Sequence, residues 1–460
     1  MRQTNGVDVL VVGAGPTGLV AAAEAAIRGL SVRIVERRAA RAEQSKALVL
    51  HARTMEALEA LGCAEALIER GQVFRALNVH TRPGVRSTRV DLVARSWGDT
   101  RYPFWLSIPQ FETEQIVESR LSELGVEVEW GVTLTGLEDH GEHVTATCEG
   151  EEGEFVFQAS WVLGCDGGRS ATRELVGIGM EREDLGVEFA LADIRSSSDL
   201  TQDEGHVVLA DGGLLLIVPM PEPGVWRLIA QVDASQAPLD GAGWEALVGD
   251  RLGRRVPIDD VGWSSRFSLT SGVASRFRQG RVFLLGDAAH VHSPVGGQGL
   301  NTGVQDANNL VWKLAMVERG HVGGPAAQAL IGSYDEERRP IVEGMVHGTA
   351  RATRALTSRG RLRKGALRGV ARVALMSDRV KDRLGRGVGM LDLLTGGERR
   401  APNPELGGGE RLHDHVDPNL PTLLRWGGEE LLVRPDRVVA GPWMSPYSIT
   451  AEIQTSGGAS

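Results

Sequence analysis

Val7-Asp-Val-Leu-Val-Val-Gly-Ala-Gly-Pro-Thr-Gly18 decides the reading of this chain. Residues 9–12 are an apolar run of the kind expected of a strand buried on both faces of a parallel sheet. Three glycines follow, Gly13, Gly15 and Gly18. In that spacing the first lets the chain turn tightly and the second lets backbone N–H groups approach a pyrophosphate. The third lets the next helix pack on the strand, and the helix N-terminus adds partial positive charge. Such a pattern alone also occurs in turns that hold no ligand. The surroundings argue for a dinucleotide: residues 19–28 are alanine-rich and helical, 31–35 read as a second strand, and Glu36 ends that strand. A carboxylate there can accept the ribose hydroxyls of an adenosine.

At 460 residues the chain is too long for one ordinary core, so two or three domains are expected, with ample burial and no need of disulfides or a structural metal. A net charge of −10 argues against general nucleic-acid binding and leaves small molecules as the expected partners. Cys63, Cys148 and Cys165 are widely spaced, odd in number and without metal-ligand pattern, which fits a reducing cytoplasm. The first apolar run is the glycine-turn strand itself, so no signal peptide is read. No run of about 18 uncharged apolar residues offers a membrane span. A soluble, cytoplasmic protein, monomer or homodimer, without a metal site is expected.

After Glu36 comes an Arg-rich connection, 37–46. Its charges belong on the surface by default, but beside a phosphate-binding turn one or two of them, Arg37 and Lys46 foremost, are expected to reach the cofactor. Met55, Leu58 and Leu61 predict a helix with Thr54 as cap and Gly62 as stop. Residues 72–101 alternate in the manner of strands leaving the nucleotide-binding unit. An apolar run from Phe104 ends at Pro109; a helix over 113–124, a strand and turn over 126–130 and 131–136, and a hairpin of 144–148 with 155–159 follow. A strand from Trp161 ends in Cys165-Asp166-Gly167, by default a strand stop, ahead of a short helix near 172–176.

Residues 181–277 change character, with apolar runs at 207–209, 214–218 and 227–232 between Gly and Pro clusters. They predict a mostly antiparallel sheet with one helix near 243–253. Arg281-Val-Phe-Leu-Leu-Gly-Asp-Ala-Ala-His290 is again a buried strand, now ending in Gly286-Asp287. A glycine loop to Gly303 and a helix over 304–317 come next. Strand, carboxylate, glycine loop and helix N-terminus supply an acceptor for a polyol hydroxyl at Asp287 and N–H groups aimed at something electron-rich. Tyr334-Asp-Glu-Glu-Arg-Arg-Pro340 is expected to precede a long helix. The basic stretch 351–386 reads as a solvated helical face.

Three separated segments thus converge on one ligand: Gly13-x-Gly15-x-x-Gly18 with Glu36, Cys165-Asp166-Gly167, and Gly286-Asp287-Ala288-Ala289-His290. Together they resemble the class A flavoprotein monooxygenases of the para-hydroxybenzoate hydroxylase fold, particularly the actinobacterial aromatic-polyketide and rifampicin-type hydroxylases, over about residues 7–345. The resemblance changes the expected resident cofactor from NAD to FAD. It implies an α/β fold: a Rossmann-like FAD-binding domain (1–75, 105–175 and 280–350) with an inserted, mainly antiparallel substrate domain (76–104 and 176–279). A C-terminal part (351–460) is expected to hold a helix and a short thioredoxin-like remnant ending in Leu432-Val-Arg-Pro-Asp436.

Carried over by resemblance, Gly13, Gly15, Pro16, Thr17 and Gly18 hold the FAD pyrophosphate and Glu36 the adenosine ribose. Gln110 reaches the flavin and ribityl chain, and Leu134 offers a backbone contact to adenine. Asp287 takes the ribityl or pyrophosphate side, and Pro294, Gly297, Gly299, Leu300 and Asn301 line the isoalloxazine ring. Asp166, Gly167 and Arg169 match a motif that serves FAD and NAD(P)H together. Lys46 stands where relatives usually place an arginine, which exchanges a planar fork for a point charge. Phe104, Trp105, Leu216, Val218 and Pro294 are the expected substrate lining; simple core is the plain reading of the two aromatics.

The chemistry implied is reduction of FAD by NADPH or NADH, addition of O2 at flavin C4a, and transfer of one oxygen atom to an electron-rich aromatic substrate such as a polycyclic polyketide or antibiotic. Epoxidation and Baeyer–Villiger insertion use the same scaffold. Because the cofactor carries the hard step, His51, His290 and His292 are read as structural and no catalytic side chain is assigned. Two alternatives are a flavin halogenase, for which Trp105-Leu-Ser-Ile-Pro109 offers only a faint match, and a non-enzymatic flavin-fold binding protein. The intact Gly286-Asp287 segment speaks against the second.

Overall fold

The computed structural model describes residues 2–3, 6–81, 83–91, 100–236, 238–292 and 297–357, then shorter runs between 377 and 452, of which 410–426 and 429–439 are the longest. Eight helices lie among these residues: α1 (Pro16–Ile27), α2 (Ala52–Ala60), α3 (Ala64–Arg70), α4 (Gln110–Glu123), α5 (Ala171–Leu175), α6 (Gly241–Leu252), α7 (Gln298–Glu318) and α8 (Gly324–Thr357). None is long and apolar enough to cross a membrane.

The fold is α/β. Its first sheet runs in the order Thr133–Asp139, Val144–Gly150, Gly153–Gly164, Val7–Val12, Val32–Glu36, Val128–Trp130, and Val282–Leu284 pairs with Gly153–Gly164. The strand Gly153–Gly164 has two halves: its start closes an antiparallel hairpin with Val144–Gly150, and its end runs parallel to Val7–Val12 and Val282–Leu284. The apolar run at Val9–Val12 has the two-sided burial that its sequence predicts. Val9 and Val11 face the cluster formed with α1 and α7, while Leu10 and Val12 face a second cluster with Leu134, Ala146 and Phe157. All parallel strands therefore end at the same edge, where the three glycine-bearing turns lie.

The second sheet has eight strands in the order His290–Val291, Asp260–Ala274, Met180–Arg195, Val225–Val232, Gly213–Pro219, Glu204–Ala210, Ala76–His80, Thr88–Asp91. Only Glu204–Ala210 with Ala76–His80 is a parallel pair. Period-2 alternation splits its side chains between two faces. Ala192, Leu215, Ile217, Trp226 and Leu228 pack with Trp244 and Val248 of α6. Phe189, Leu214 and Leu269 lie in another cluster with Val207, Leu216, Ile229 and Phe267. α6 is closed at both ends, by the Asp240 side chain accepting from Gly243 N at 2.8 Å and by left-handed Gly253.

Four sequence expectations are corrected. α2 starts at Ala52, so Thr54 is a buried helix residue and no cap; the cap position is His51, whose N–H donates to Asn301 Oδ1 at 2.9 Å. α4 and α7 start at Gln110 and Gln298 instead of near 113 and 304, because polar and glycine-bearing first turns contribute nothing to an apolar period. Residues 334–340 lie inside α8, Pro340 included. A mid-helix proline costs about 3 kcal/mol, and this turn is held by burial: Tyr334 donates to Leu284 O at 2.8 Å and Arg338 pairs with Asp306. Most of the basic stretch beyond Thr357 lies outside the described residues.

Candidate active site

Gly13 has φ +102°, and a Cβ on it would stand 2.5 Å from the Cys165 carbonyl oxygen; a Cβ on Gly18 would stand 1.8 Å from the Gly13 carbonyl oxygen. The protein's own packing demands both glycines. Gly15 is different. It is extended (φ −77°), and nothing lies within 4 Å of a Cβ built there, so its bare backbone leaves the approach to α1 clear.

α1 begins behind Gly15 and α7 behind Gly297 (φ +64°). Neither start has a side-chain cap hydrogen bond or an acidic residue in its first turn. α5 and α6, by contrast, are capped by Ser170 and Asp240. Thr17, in the first turn of α1, packs closely against Gly286 and against Gly303 in the second turn of α7: a Cβ on either glycine would come within 2.6 and 2.1 Å of its Oγ1. Two helix N-termini with open N–H groups and positive dipole ends thus stand side by side. That donor set fits a diphosphate and an electron-rich ring edge.

Glu36 ends its strand buried. Its Oε2 accepts from Ala14 N at 2.9 Å and its Oε1 from Arg38 N and Nε at 3.1 and 3.0 Å. Burial acts to raise its carboxyl, but the Arg38 and Ala14 hydrogen bonds outweigh it and hold the group ionised below its usual range. Val132 N donates to Glu36 O at 3.0 Å, which brings the strand carrying buried Leu134 beside it.

Asp166 and Asp287 end adjacent parallel strands but are used differently. Asp166 Oδ1 accepts from Ser170 Oγ at 2.5 Å, and its Oδ2 from Thr172 N and Oγ1 at 2.9 and 3.0 Å, so this carboxylate anchors the start of α5. Asp287 projects from the 3₁₀ turn Gly286–Ala288 and is exposed, and desolvation by the surrounding chain raises its carboxyl. The turn beneath is gripped on both sides. Gly286 N donates to Asp306 Oδ2 at 3.0 Å, and Ala288 O accepts from Arg173 Nη1 at 2.9 Å. Asp306 also takes His290 Nε2 at 2.7 Å and Arg338 Nε at 2.8 Å. Burial would raise the Asp306 carboxyl, but Arg338 and His290 win and lower it. His290 is fully buried in this pairing.

The remaining expected residues fall as follows. Gln110 opens α4 and donates Nε2 to Glu114 at 2.7 Å. Arg37 is exposed. Asn301 is buried and donates Nδ2 to Val49 O and Gly297 O, at 2.8 and 2.7 Å, so its side chain fastens the α7 start to the chain before α2. Gly299 and Leu300 are half-buried in the α7 first turn; Pro294 lies outside the described residues. Trp105 is 7% exposed and edge-on to His51 and Phe74, a core role, and Phe104 packs on the same cluster. Leu216 and Val218 are half-buried on the sheet face away from α6.

On that same face Arg227 forms a bidentate pair with Asp193 (2.6 and 2.7 Å) and donates Nη1 to the carbonyls of Ser45 and Lys46. The Lys46 ammonium stands 4.8 Å from the centre of the Phe267 ring. Arg227 therefore ties the connection after Glu36 to the antiparallel sheet. Sequence reading missed Arg227, Asp193, Asp306, Arg173 and Arg338; the visible signal was the polar stripe of Asp306, Asn309 and Lys313 in a helix that must also pack its apolar residues.

A parallel sheet whose strand ends present a tight glycine turn, a buried carboxylate and helix N-termini without side-chain caps is the architecture of a dinucleotide-binding flavoprotein. The chain belongs to the FAD binding domain family, whose model matches residues 6–349. It is 38% identical over 356 residues to 6-methylpretetramide 4-monooxygenase of Streptomyces rimosus, a match covering 76% of this chain and 62% of that enzyme. It is 34% identical over 359 residues to rifampicin monooxygenase of Streptomyces venezuelae, covering 74% and 70%. Among solved structures, the anhydrotetracycline hydroxylase of Streptomyces rimosus superposes with TM-score 0.76 at 30% identity, over 95% of this chain and 96% of that one.

Proposed function

We propose that the whole chain is an NAD(P)H-consuming aromatic monooxygenase: substrate-H + O2 + NAD(P)H + H⁺ → substrate-OH + H2O + NAD(P)⁺. The single observation that carries the reading is the pair of helix starts without side-chain caps, on the closely packed α1 and α7, beside exposed Asp287. Bound FAD would supply hydride acceptance and O2 activation. The chain's own part is to bind, orient and exclude water. Gly15 and the α1 start take the pyrophosphate, Glu36 the adenosine ribose, and Asp287 a ribityl hydroxyl. The α7 first turn, at Gly299, Leu300 and Asn301, faces the ring and favours negative charge there. Asp166 anchors the start of α5 next to this site and is not itself a ligand.

Leu216, Val218, Ile229 and Phe267 give an apolar wall for a flat ring system, with Lys46 at its rim. The names of the relatives above support a polycyclic, antibiotic-like aromatic as substrate. We assign residues 1–75, 105–175 and 280–350 to the cofactor domain and 76–104 with 176–279 to the substrate domain. The three free, buried cysteines suit a reducing cytoplasm.

The test is to purify the yellow protein and follow NADPH and NADH oxidation with and without polycyclic phenols while measuring peroxide. Substrate-stimulated oxidation with little peroxide and a product heavier by one oxygen is expected. Oxidation that ends wholly in peroxide for every aromatic offered would reject the monooxygenase reading.

A further inference from the structure

A buried chain of charged groups lies behind the cofactor turn, and the functions assigned above use only its last link. It starts in the C-terminal run 429–439. Arg434 pairs with Asp436, Nε to Oδ1 at 2.9 Å and Nη2 to Oδ2 at 2.5 Å. The same guanidinium donates to Glu337 of α8, Nη1 to Oε1 at 3.1 Å and Nη2 to Oε2 at 2.8 Å. Glu337 also accepts from Asn309 Nδ2 at 2.6 Å and Lys313 Nζ at 2.9 Å, both on α7. One residue on, Arg338 reaches Asp306, which holds Gly286 N. The Asp436 carbonyl meanwhile accepts from Arg53 of α2 at 2.7 Å.

Thr302, Asp306, Asn309 and Lys313 recur at helical spacing along the face of α7 that α8 covers. Arg338 donates to Thr302 O at 3.3 Å, and Ser333 accepts from Lys313 at 2.8 Å. The side chains of Asp306 and Lys313 are 0% exposed, and those of Arg338, Arg434 and Asp436 are buried as well. A cavity of about 30 Å³, bounded by Arg53, Asn309, Glu337, Arg338, Arg434 and Asp436, lies at the crossing of these links. It has room for a water to join them. Buried charges of this kind tolerate few arrangements, because removing any one leaves its partner unpaired in a low dielectric. The seating of Arg434 and Asp436 therefore fixes α8 against α7, and α7 carries Asp306.

We propose that the C-terminal run, through Arg434 and Asp436, is a positioning element for the cofactor turn: it sets α8 against α7 so that Asp306 holds Gly286 and presents Asp287 to FAD. The proposal rests on the placement of FAD at that turn. Thermodynamic linkage makes it reciprocal, so FAD must in turn stabilise the C-terminal run.

Hydrogen exchange of the flavin-free and FAD-loaded wild-type protein tests it directly. Slower exchange of amides at 431–439 on FAD binding is expected, together with protection at 13–18 and 286–290. Protection of the two turns with no change at 431–439 overturns the proposal. Failure to bind FAD at all would sink the cofactor placement instead, and FAD titration tells the two apart. The second arm compares Arg434→Gln with Arg434→Lys by FAD titration and thermal melting. About tenfold weaker FAD binding is expected for Gln, with partial recovery for Lys. A lowered melting temperature with wild-type FAD affinity would make the run a mere staple of the fold and overturn the proposal. If the Gln variant does not fold, the exchange experiment on the wild type decides.

Discussion

The edge of the parallel sheet and the open face of the antiparallel sheet are built in opposite ways. At the edge the groups on offer are mainly backbone, bare Gly15 and the N–H groups at the starts of α1 and α7, beside the carboxylates of Glu36 and Asp287. On the face they are side chains, Leu216, Ile229 and Phe267 with the Arg227–Asp193 pair at one end. A backbone site restricts sequence to a few glycines and carboxylates at fixed spacing. A side-chain wall accepts any apolar set of suitable volume. On the proposed reading the first is therefore committed to one cofactor, and the second can be remodelled for different substrates.

The strongest way to break this contrast is to add one methyl group at two glycines three residues apart. Gly18→Ala puts a carbon 1.8 Å from the Gly13 carbonyl oxygen, and such overlap with backbone should cost about 3 kcal/mol or more, seen as a large drop in melting temperature or no folded protein. Gly15→Ala meets nothing in the protein, so the flavin-free melting temperature should hold or rise slightly. FAD titration of Gly15→Ala should still show affinity about tenfold weaker or worse. Equal melting losses in the two variants would mean that Gly15 serves packing and not a ligand.

A smaller effect separates the two strand-end aspartates. Asp287→Ala removes an exposed acceptor and should weaken FAD by roughly 10- to 100-fold, the range for a hydrogen bond to a charged group, with the flavin-free protein melting as before. Asp166→Ala removes the anchor of α5 and should lower stability by about 1 kcal/mol, as for a lost helix cap, with FAD affinity nearly unchanged. Exchange of these two phenotypes would reverse the roles that the hydrogen bonds assign.

Those aspartates also mark how far the sequence could be read. Each follows a buried strand and sits beside glycine, so both look like ligands. What distinguishes them lies several residues on, where Ser170 and Thr172 consume the Asp166 carboxylate, while among the described residues none hydrogen-bonds that of Asp287. The sheets were legible because two-sided and one-sided burial leave different apolar periods. Helix starts were not: the first turns of α4 and α7 are polar or glycine-rich and carry no period. Pro340 looked like a boundary because local backbone preference speaks against a helix there, while the deciding contacts, Tyr334 to Leu284 and Arg338 to Asp306, come from segments 50 and 32 positions away. The stripe Asp306, Asn309, Lys313 was visible as polar residues in a buried helix, but its partners across α8 and the C-terminal run are set by tertiary packing alone.

The weakest test of the contrast is a proton. The sheet that carries the apolar wall has an imidazole pair near its edge, half-buried His80 Nε2 and buried His206 Nδ1 at 3.1 Å. Burial and the neighbouring His80 push His206 down to about 4, and burial with Arg254 lowers His80 as well. Both are therefore neutral in the fold, whereas in the unfolded chain they protonate near pH 6.5. The fold binds fewer protons, so the stability they contribute is fully present above pH 6.5 and is lost as pH falls toward about 4. By pH 5.5 the loss from His206 should be about 1 kcal/mol, one or two degrees of melting temperature for a chain of this size. His206→Gln should flatten that slope. If acid instead released FAD while the antiparallel sheet stayed protected in hydrogen exchange, the sensitive region would be the cofactor edge, and the division of labour between edge and face would need redrawing.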